Sequence, residues 1–356
     1  MKHKNIKIIV GICGEGMGHC FRQTVVIQHL LDSGHKIKII SSGRAADFLT
    51  NKFPDIKVVK AQGMTLAYKN NQVDKITTLI NNLKATKNLI KNTKLISQSF
   101  KDFKPDLVIT DFDSAASAYA QLNDIPCIAI DNIQIINRCK IDKILKGTSF
   151  QLAKNIVKFK TTGCEKYFVT SFFDAEVKKK KTKIYQPIIR KQIIDAKIKD
   201  LDHVLVYQTS ESNQDLVNKL KKIKDIVFVY GLKRDIVEDQ FDDNIIYKPF
   251  SEKQFIKDLA SSKCVVANGG FTLLSEAIYL KKPLYSFAIK NQFEQEMNAY
   301  YLEKLGYGKY CKNISDFDLD IFIKNIPFYK DNLDDYKHDN NEMIFKDLDK
   351  YIEELK

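Results

Sequence analysis

The stretch that decides the fold runs from Lys263 to Gly308, KCVVANGGFTLLSEAIYLKKPLYSFAIKNQFEQEMNAYYLEKLGYG. Cys264 to Ala267 is short, apolar and β-branched, as a buried strand requires. Asn268-Gly269-Gly270 is a turn, and from Thr272 to Leu280 the apolar positions recur at helical spacing. A strand that turns through two glycines into a helix makes an anion site. The glycines let the backbone approach a ligand closely, and the N–H groups of the first helical turn point at it. That marks Asn268, Gly269, Gly270, Phe271 and Thr272 as phosphate-side candidates. Glu276 lies one turn on, on the face of Thr272, where a carboxylate suits the hydroxyls of a ribose. After a strand from Leu284 to Ala288, the cluster Asn291-Gln292-Phe293-Glu294-Gln295 opens another helix and suits a further polyol.

These residues carry a resemblance. The stretch resembles the donor-site region of GT-B glycosyltransferases of the UDP-glycosyltransferase and MurG-like type, in which a Gly-rich turn is followed by Glu and then by an acidic-Gln pair before Asn-Ala. Gly270, Glu276 and Glu294-Gln295-x-x-Asn298-Ala299 fall on that pattern. In that family the three features bind diphosphate, ribose and sugar hydroxyls. The chain departs from it at Asn268, where the family has His, and at Thr272-Leu273, where it has Asn-Ser. The resemblance implies an α/β chain with the GT-B fold: two Rossmann-like parallel-sheet domains, at residues 1–190 and 191–356, facing a central cleft. The last helix of such proteins often returns to the first domain.

The bulk numbers agree with two domains. The chain has 356 residues, 44% of them hydrophobic, enough for two cores. No run of about 18 apolar residues occurs, and Met1 to Lys7 leads into a strand with no leader-like segment. A soluble cytoplasmic protein is expected. Seven cysteines without a CxxC pair read as reduced thiols. The formal charge of +13 favours anionic partners: nucleotide phosphates, anionic lipid or nucleic acid. Nucleic acid ranks last, because no basic face is interleaved with aromatics.

Ile6 to Ile12 reads as a strand, followed by Cys13-Gly14-Glu15-Gly16-Met17-Gly18-His19 and a helix from about Phe21 to Asp32. GxGxG is not the dinucleotide fingerprint, and no acid ends the next strand, Lys36 to Ser41, so neither a nicotinamide nor a flavin cofactor is expected. The turn resembles the N-terminal loop of GT-B transferases, which ends in Gly-His at the cleft. That resemblance makes Gly14, Glu15, Gly16 and Gly18 an acceptor-side loop, and His19 the base that takes a proton from an acceptor hydroxyl.

Pro105 to Asp113 reads as a strand with acids at its carboxyl end. As a bare D-x-D, Asp111 and Asp113 suit a divalent cation. The resemblance points elsewhere: plant-type UDP-glycosyltransferases carry a strand-end Asp that hydrogen-bonds the catalytic His, ahead of an Ala-rich helix and a Pro strand. Here Ser114 to Leu122 and Ile125 to Ile130 follow, which puts Asp111 beside His19 and leaves Asp113 unassigned. Neither a metal nor a cofactor is expected.

Between these, Val73 to Phe103 reads as a polar helical region. Lys84, Lys87, Lys91, Lys94 and Lys101 share one face, while Leu89, Ile96, Phe100 and Phe103 share the other. The basic stripe is a solvated face or a rest for anionic lipid at the inner face of the membrane. The stretch 133–160 is basic and weakly patterned, and Lys178 to Lys181 reads as a surface loop. In the second half His203 to Tyr207, Ile226 to Tyr230 and Ile245 to Phe250 read as strands. The loop after the first resembles the family's first donor loop and offers Thr209 and Ser210 to the diphosphate. Phe250 is a candidate for the base, and the absence of Trp leaves the nucleobase open. The expected function is that of an inverting glycosyltransferase. It moves a sugar from a nucleoside-diphosphate sugar, UDP-linked by the resemblance, to a hydroxyl acceptor of a glycan, lipid-linked or glycoconjugate pathway. The alternatives are a nucleotide-sugar hydrolase or 2-epimerase on the same fold, or a non-catalytic nucleotide-sugar-binding subunit.

Overall fold

The computed structural model describes residues 5–61, 68–69, 72–73, 91–208, 214–233, 235–289 and 292–355. Contacts divide the chain into two units. The first comprises Met1–Tyr68, Val73–Ile188 and Asp339–Lys356; the second comprises Lys69–Gln72 and Ile189–His338. The division falls at Ile188/Ile189, and the C-terminal residues go with the first unit.

The first unit is built on a seven-stranded sheet. Its strands are β1 (Lys7–Ile12), β2 (Lys36–Ser41), β3 (Val58–Lys60), β4 (Leu107–Asp111), β5 (Cys127–Asp131), β6 (Lys166–Thr170) and β7 (Thr182–Tyr185), in the order β3-β2-β1-β4-β5-β6-β7. Each neighbouring pair is parallel. The order reverses at β1/β4, where parallel α/β sheets place their ligands. Around it lie α1 (Met17–Asp32), α2 (Gly43–Lys52), α3 (Ser114–Leu122) and α4 (Thr148–Lys160). Buried on both faces, the strands read as near-continuous apolar runs: Ile8, Ile9, Val10 and Ile12 of β1 are all fully buried.

The second unit repeats the plan with β8 (Val204–Tyr207), β9 (Val227–Tyr230), β10 (Gln240–Asp242), β11 (Ile245–Lys248), β12 (Cys264–Asn268), β13 (Leu284–Phe287) and β14 (Gly308–Tyr310). Their order is β10-β11-β9-β8-β12-β13-β14, and only β10 runs antiparallel to its neighbour. Its helices include α5 (Glu252–Ser261), α6 (Phe271–Tyr279) and α7 (Phe293–Lys304).

The last helix, α8 (Glu342–Glu354), packs into the core of the first unit. Ile344, Leu348, Tyr351 and Ile352 recur on one face and are buried there, each contributing about 1.5–3 kcal/mol. His29 Nε2 meets Asp349 Oδ1 at 2.8 Å, and the Tyr185 hydroxyl donates to Asp347 Oδ2 at 2.8 Å. Of the lysine stripe between Val73 and Phe103, the part at 74–90, with Lys84, Lys87 and Leu89, lies outside the described residues. Residues 91–99 are helical, with Ile96 inside and Lys91 and Lys94 outside. All seven cysteines are free and buried. Among the described residues no helix is long and apolar enough to cross a membrane.

Candidate active site

Ile12, the last residue of β1, pairs with Asp111, the last of β4, so the Gly-rich loop and the acid leave neighbouring strand ends. Helix α1 starts at Met17 rather than near Phe21, because Gly16 adopts φ 79° and turns the chain directly into the helix. His19 therefore stands on the first helical turn, not in a loop. Arg22 and Gln23, three and four residues on, share its face.

All three converge on Asp111. His19 Nδ1 lies 2.7 Å from Asp111 Oδ1. Arg22 donates through Nε to Oδ2 at 3.0 Å and through Nη2 to Oδ1 and Oδ2 at 2.7 and 2.8 Å. Gln23 Nε2 donates to Oδ2 at 3.0 Å. Asp111 is wholly buried. Burial alone would push its carboxyl up, but Arg22 and then His19 outweigh it and hold the group below the usual carboxylate range. Asp111 is therefore a carboxylate at neutral pH. It accepts a hydrogen bond from His19 Nδ1–H, near which Arg22 Nη2 also lies at 3.0 Å; this sets the tautomer and leaves the Nε2 lone pair without a partner among the described residues. Arg22 Nη1 continues to Asn132 Oδ1 at 2.8 Å.

Phe112, between the two acids, has φ 54°, a left-handed conformation that costs a non-glycine residue on the order of 1–3 kcal/mol. Its ring stacks 6.4 Å from the His19 ring, and the ammonium of Lys160 sits 4.2 Å from its centroid. The buried Lys160 Nζ also lies 3.4 Å from Cys13 Sγ, whose thiol burial pushes up to about 11. Asp113 caps α3, accepting from Ala116 N at 2.8 Å, and burial raises its carboxyl to about 6. The D-x-D thus divides into an imidazole partner and a helix cap. Among the described residues no group of three or more His, Cys, Asp or Glu is placed to hold a metal ion. Asp131, at the end of β5, accepts from Gln134 N at 2.7 Å through Oδ1, while Oδ2 is buried without a partner among the described residues. Burial, then the charge of Asp111, raises it to about 7.

In the second unit the turn Asn268-Gly269-Gly270 joins β12 to α6. A Cβ on Gly269 would stand 2.2 Å from the Gln295 carbonyl oxygen, so only glycine fits. Asn298 Nδ2 donates to Gly269 O at 2.9 Å, and Gln208 Nε2 to Asn268 Oδ1 at 3.1 Å. Gly270 caps α6, putting Phe271 and Thr272 in its first turn. The first turn of α7 braces the site: Gln295 Oε1 accepts from Ile289 N at 3.0 Å, while Glu294 is half-buried on the next position. Gln292 Oε1 and Asn298 Oδ1 are buried without a partner among the described residues.

Glu276 is not a solvated carboxylate. It is 2% exposed and takes a bidentate pair from Arg190, Nε to Oε1 at 2.7 Å and Nη2 to Oε2 at 2.8 Å. Arg190 Nη1 also reaches Glu252 Oε1 at 2.7 Å. Both carboxylate oxygens of Glu276 are thus engaged by Arg190. Phe250 is 60% exposed. Thr209 and Ser210 lie outside the described residues. Sequence reasoning missed Arg22, Gln23, Asn132, Lys160 and Arg190. Arg22 and Gln23 were findable by extending α1 back to Met17, which puts them one turn from His19.

The family model described as glycosyl transferase family 1 matches residues 6–327. The chain belongs to that family. A protein of Methanosarcina mazei named uncharacterized glycosyltransferase is 24% identical over 351 residues, covering 85% of each chain. Among solved structures, the glycotransferase of kitacinnamycin superposes with a TM-score of 0.70 at 14% identity over 99% of both chains. Arabidopsis thaliana UGT89C1, solved with UDP-L-rhamnose, does so with 0.67 at 13% identity, again over 99% of both. The family 1 chain therefore has the GT-B fold and is a glycosyltransferase.

Proposed function

We propose that the protein is an inverting transferase that uses a nucleoside-diphosphate sugar, UDP-linked by preference, and a hydroxyl acceptor. The observation that carries this reading is the 2.7 Å contact of His19 Nδ1 with a carboxylate kept ionised by Arg22. Nε2 of His19 takes the proton of the acceptor hydroxyl as its oxygen attacks the anomeric carbon. The bond from that carbon to the diphosphate breaks, and the nucleoside diphosphate leaves. Asp111 stabilises the imidazolium that forms. Leaving-group charge is met by the N–H groups and dipole of the first turn of α6 behind Gly269 and Gly270, so the reading asks for no metal. Gln292, Glu294, Gln295 and Asn298 supply polar groups for sugar hydroxyls, and Phe250 an exposed ring for the base. UDP-L-rhamnose in UGT89C1 supports a uridine donor.

Calorimetric titration of the chain in EDTA with UDP, TDP, GDP and CMP tests the donor half. Selective binding of one nucleoside diphosphate, weakened in Glu276→Gln, is expected. The Gln variant is preferred to Ala because it keeps a hydrogen-bonding partner on Arg190. Binding of none of the four removes the donor-site reading, and free sugar formed from donor alone as fast as transfer would reassign the enzyme as a hydrolase.

A further inference from the structure

Helix α4 buries Phe150, Val157 and Lys160 against the first unit and turns Leu152 and Phe159 outward, 40% and 61% exposed. Seven residues apart, the two lie on one line along the helix. Ile144, in the turn before it, is 74% exposed. Exposed Lys146, Lys158 and Lys178 and half-buried Lys154 flank these apolar tips. The Lys140 amide donates to Glu176 O and the Lys178 amide to Arg138 O, at 2.8 and 2.9 Å, which lays the 176–178 segment beside 138–140. The ammonium of Lys178 is held below its ordinary value by partial burial, then by Lys154, Lys146 and Lys140. That of Lys179 is lowered by partial burial, then by Arg138, Lys154 and Lys158. These side chains therefore crowd one face. Lys146, Lys154, Lys158 and Lys178 form no ion pair among the described residues, and in this group only Lys140 does, with Glu176.

A dissolved polyanion would account for the lysines and could stack a base on Phe159, but it would leave Ile144 and Leu152 uncovered. A solvated face accounts for the lysines but gives no use to three large apolar side chains, Ile144, Leu152 and Phe159, exposed together among them. An anionic bilayer takes both, headgroup phosphates on the ammonium groups and apolar tips at the acyl boundary. We propose that the face formed by α4, the turn at Ile144 and the 176–179 segment docks on an anionic phospholipid membrane. The patch borders the His19 site: its helix ends at Lys160, which touches Cys13 and Phe112. Docking does not depend on the transfer chemistry, so the two readings fail separately.

The test is flotation of the full chain with vesicles of phosphatidylcholine alone or with phosphatidylglycerol. Two variants are compared with it, Lys146→Gln/Lys154→Gln/Lys158→Gln/Lys178→Gln and Ile144→Ser/Phe159→Ser. All are surface changes, and unchanged melting curves verify the folds. Binding to phosphatidylglycerol vesicles alone is expected. The lysine variant should lose roughly 10²–10³-fold in partitioning, and the apolar variant at least tenfold. No binding to either vesicle overturns the proposal. So does full retention by the apolar variant, which would mark adsorption of any polyanion and would be matched by binding to an oligonucleotide.

Discussion

Replacing Arg22 by Met removes three of the five contacts on the Asp111 carboxylate and the guanidinium charge that balances it. The side chain is 2% exposed and the carboxylate fully buried, so water cannot replace the lost donors. Breaking such a pair from one side costs about 3–5 kcal/mol, a large share of a typical 5–15. The pH dependence has a definite sign. In the native protein the folded-state value of Asp111 is depressed, so its contribution is present above the unfolded carboxylate value and is lost as pH falls through the folded one. In Arg22→Met the carboxyl loses its balancing charge and burial dominates. Its folded value then rises above the unfolded one, and the variant loses stability as pH rises through it. The deficit should therefore shrink between pH 8 and pH 5. Urea unfolding followed by far-UV circular dichroism measures it, since the chain has no Trp. A double variant, Arg22→Met/Asp111→Asn, should cost less than the two single changes summed, by about 2 kcal/mol or more. A deficit under about 1 kcal/mol, or one independent of pH, would refute the claim that Arg22 holds Asp111 ionised.

Asp131 gives the opposite dependence. Its carboxyl rises from 3.8 to about 7, so the folded state holds the proton over that window and stability falls as pH rises through it. Asp131→Asn should melt higher than the parent at pH 8 and gain clearly less at pH 5, a difference on the order of a few kcal/mol; equal gains at both pH values would contradict it. Gly269→Ala forces a Cβ to 2.2 Å from a backbone oxygen. A loss of about 1–3 kcal/mol is expected in thermal melts, with nucleotide binding weakened further by the displaced turn; an unchanged melt would mean the turn yields freely.

Much of the scaffold was legible because parallel sheets buried on both faces write themselves as apolar runs. β1, β4, β5, β8, β9, β12 and helix α3 fell within a residue or two of their expected positions. β7, β10 and β14 were not read, since these edge strands carry too little apolar sequence to stand out; β7 is the four residues Thr182–Tyr185, half polar, and β14 the three residues Gly308–Tyr310. Helix α4 looked like unpatterned basic chain because its outward face mixes Leu152 and Phe159 with Lys158. His19 and Asp111 were legible through the resemblance, and the fold brings them to hydrogen-bonding distance. The charges that condition the site were not. Arg22 and Arg190 each owe their role to a partner 89 and 86 residues away, and such pairings leave no local trace in sequence. Asp113 illustrates the converse, for a residue that looked chemical in a D-x-D is a cap for the helix it precedes.

The central claim is that His19 is a base held ready by Asp111, and steady-state transfer by His19→Ala, with donor affinity measured on the same preparation, tests it most directly. The account predicts that turnover falls by at least ~10²-fold while the dissociation constant of the nucleoside diphosphate changes less than about threefold, because Gly269, Gly270 and α6 are untouched. Equal losses in turnover and donor binding, or turnover near that of the parent, would contradict it.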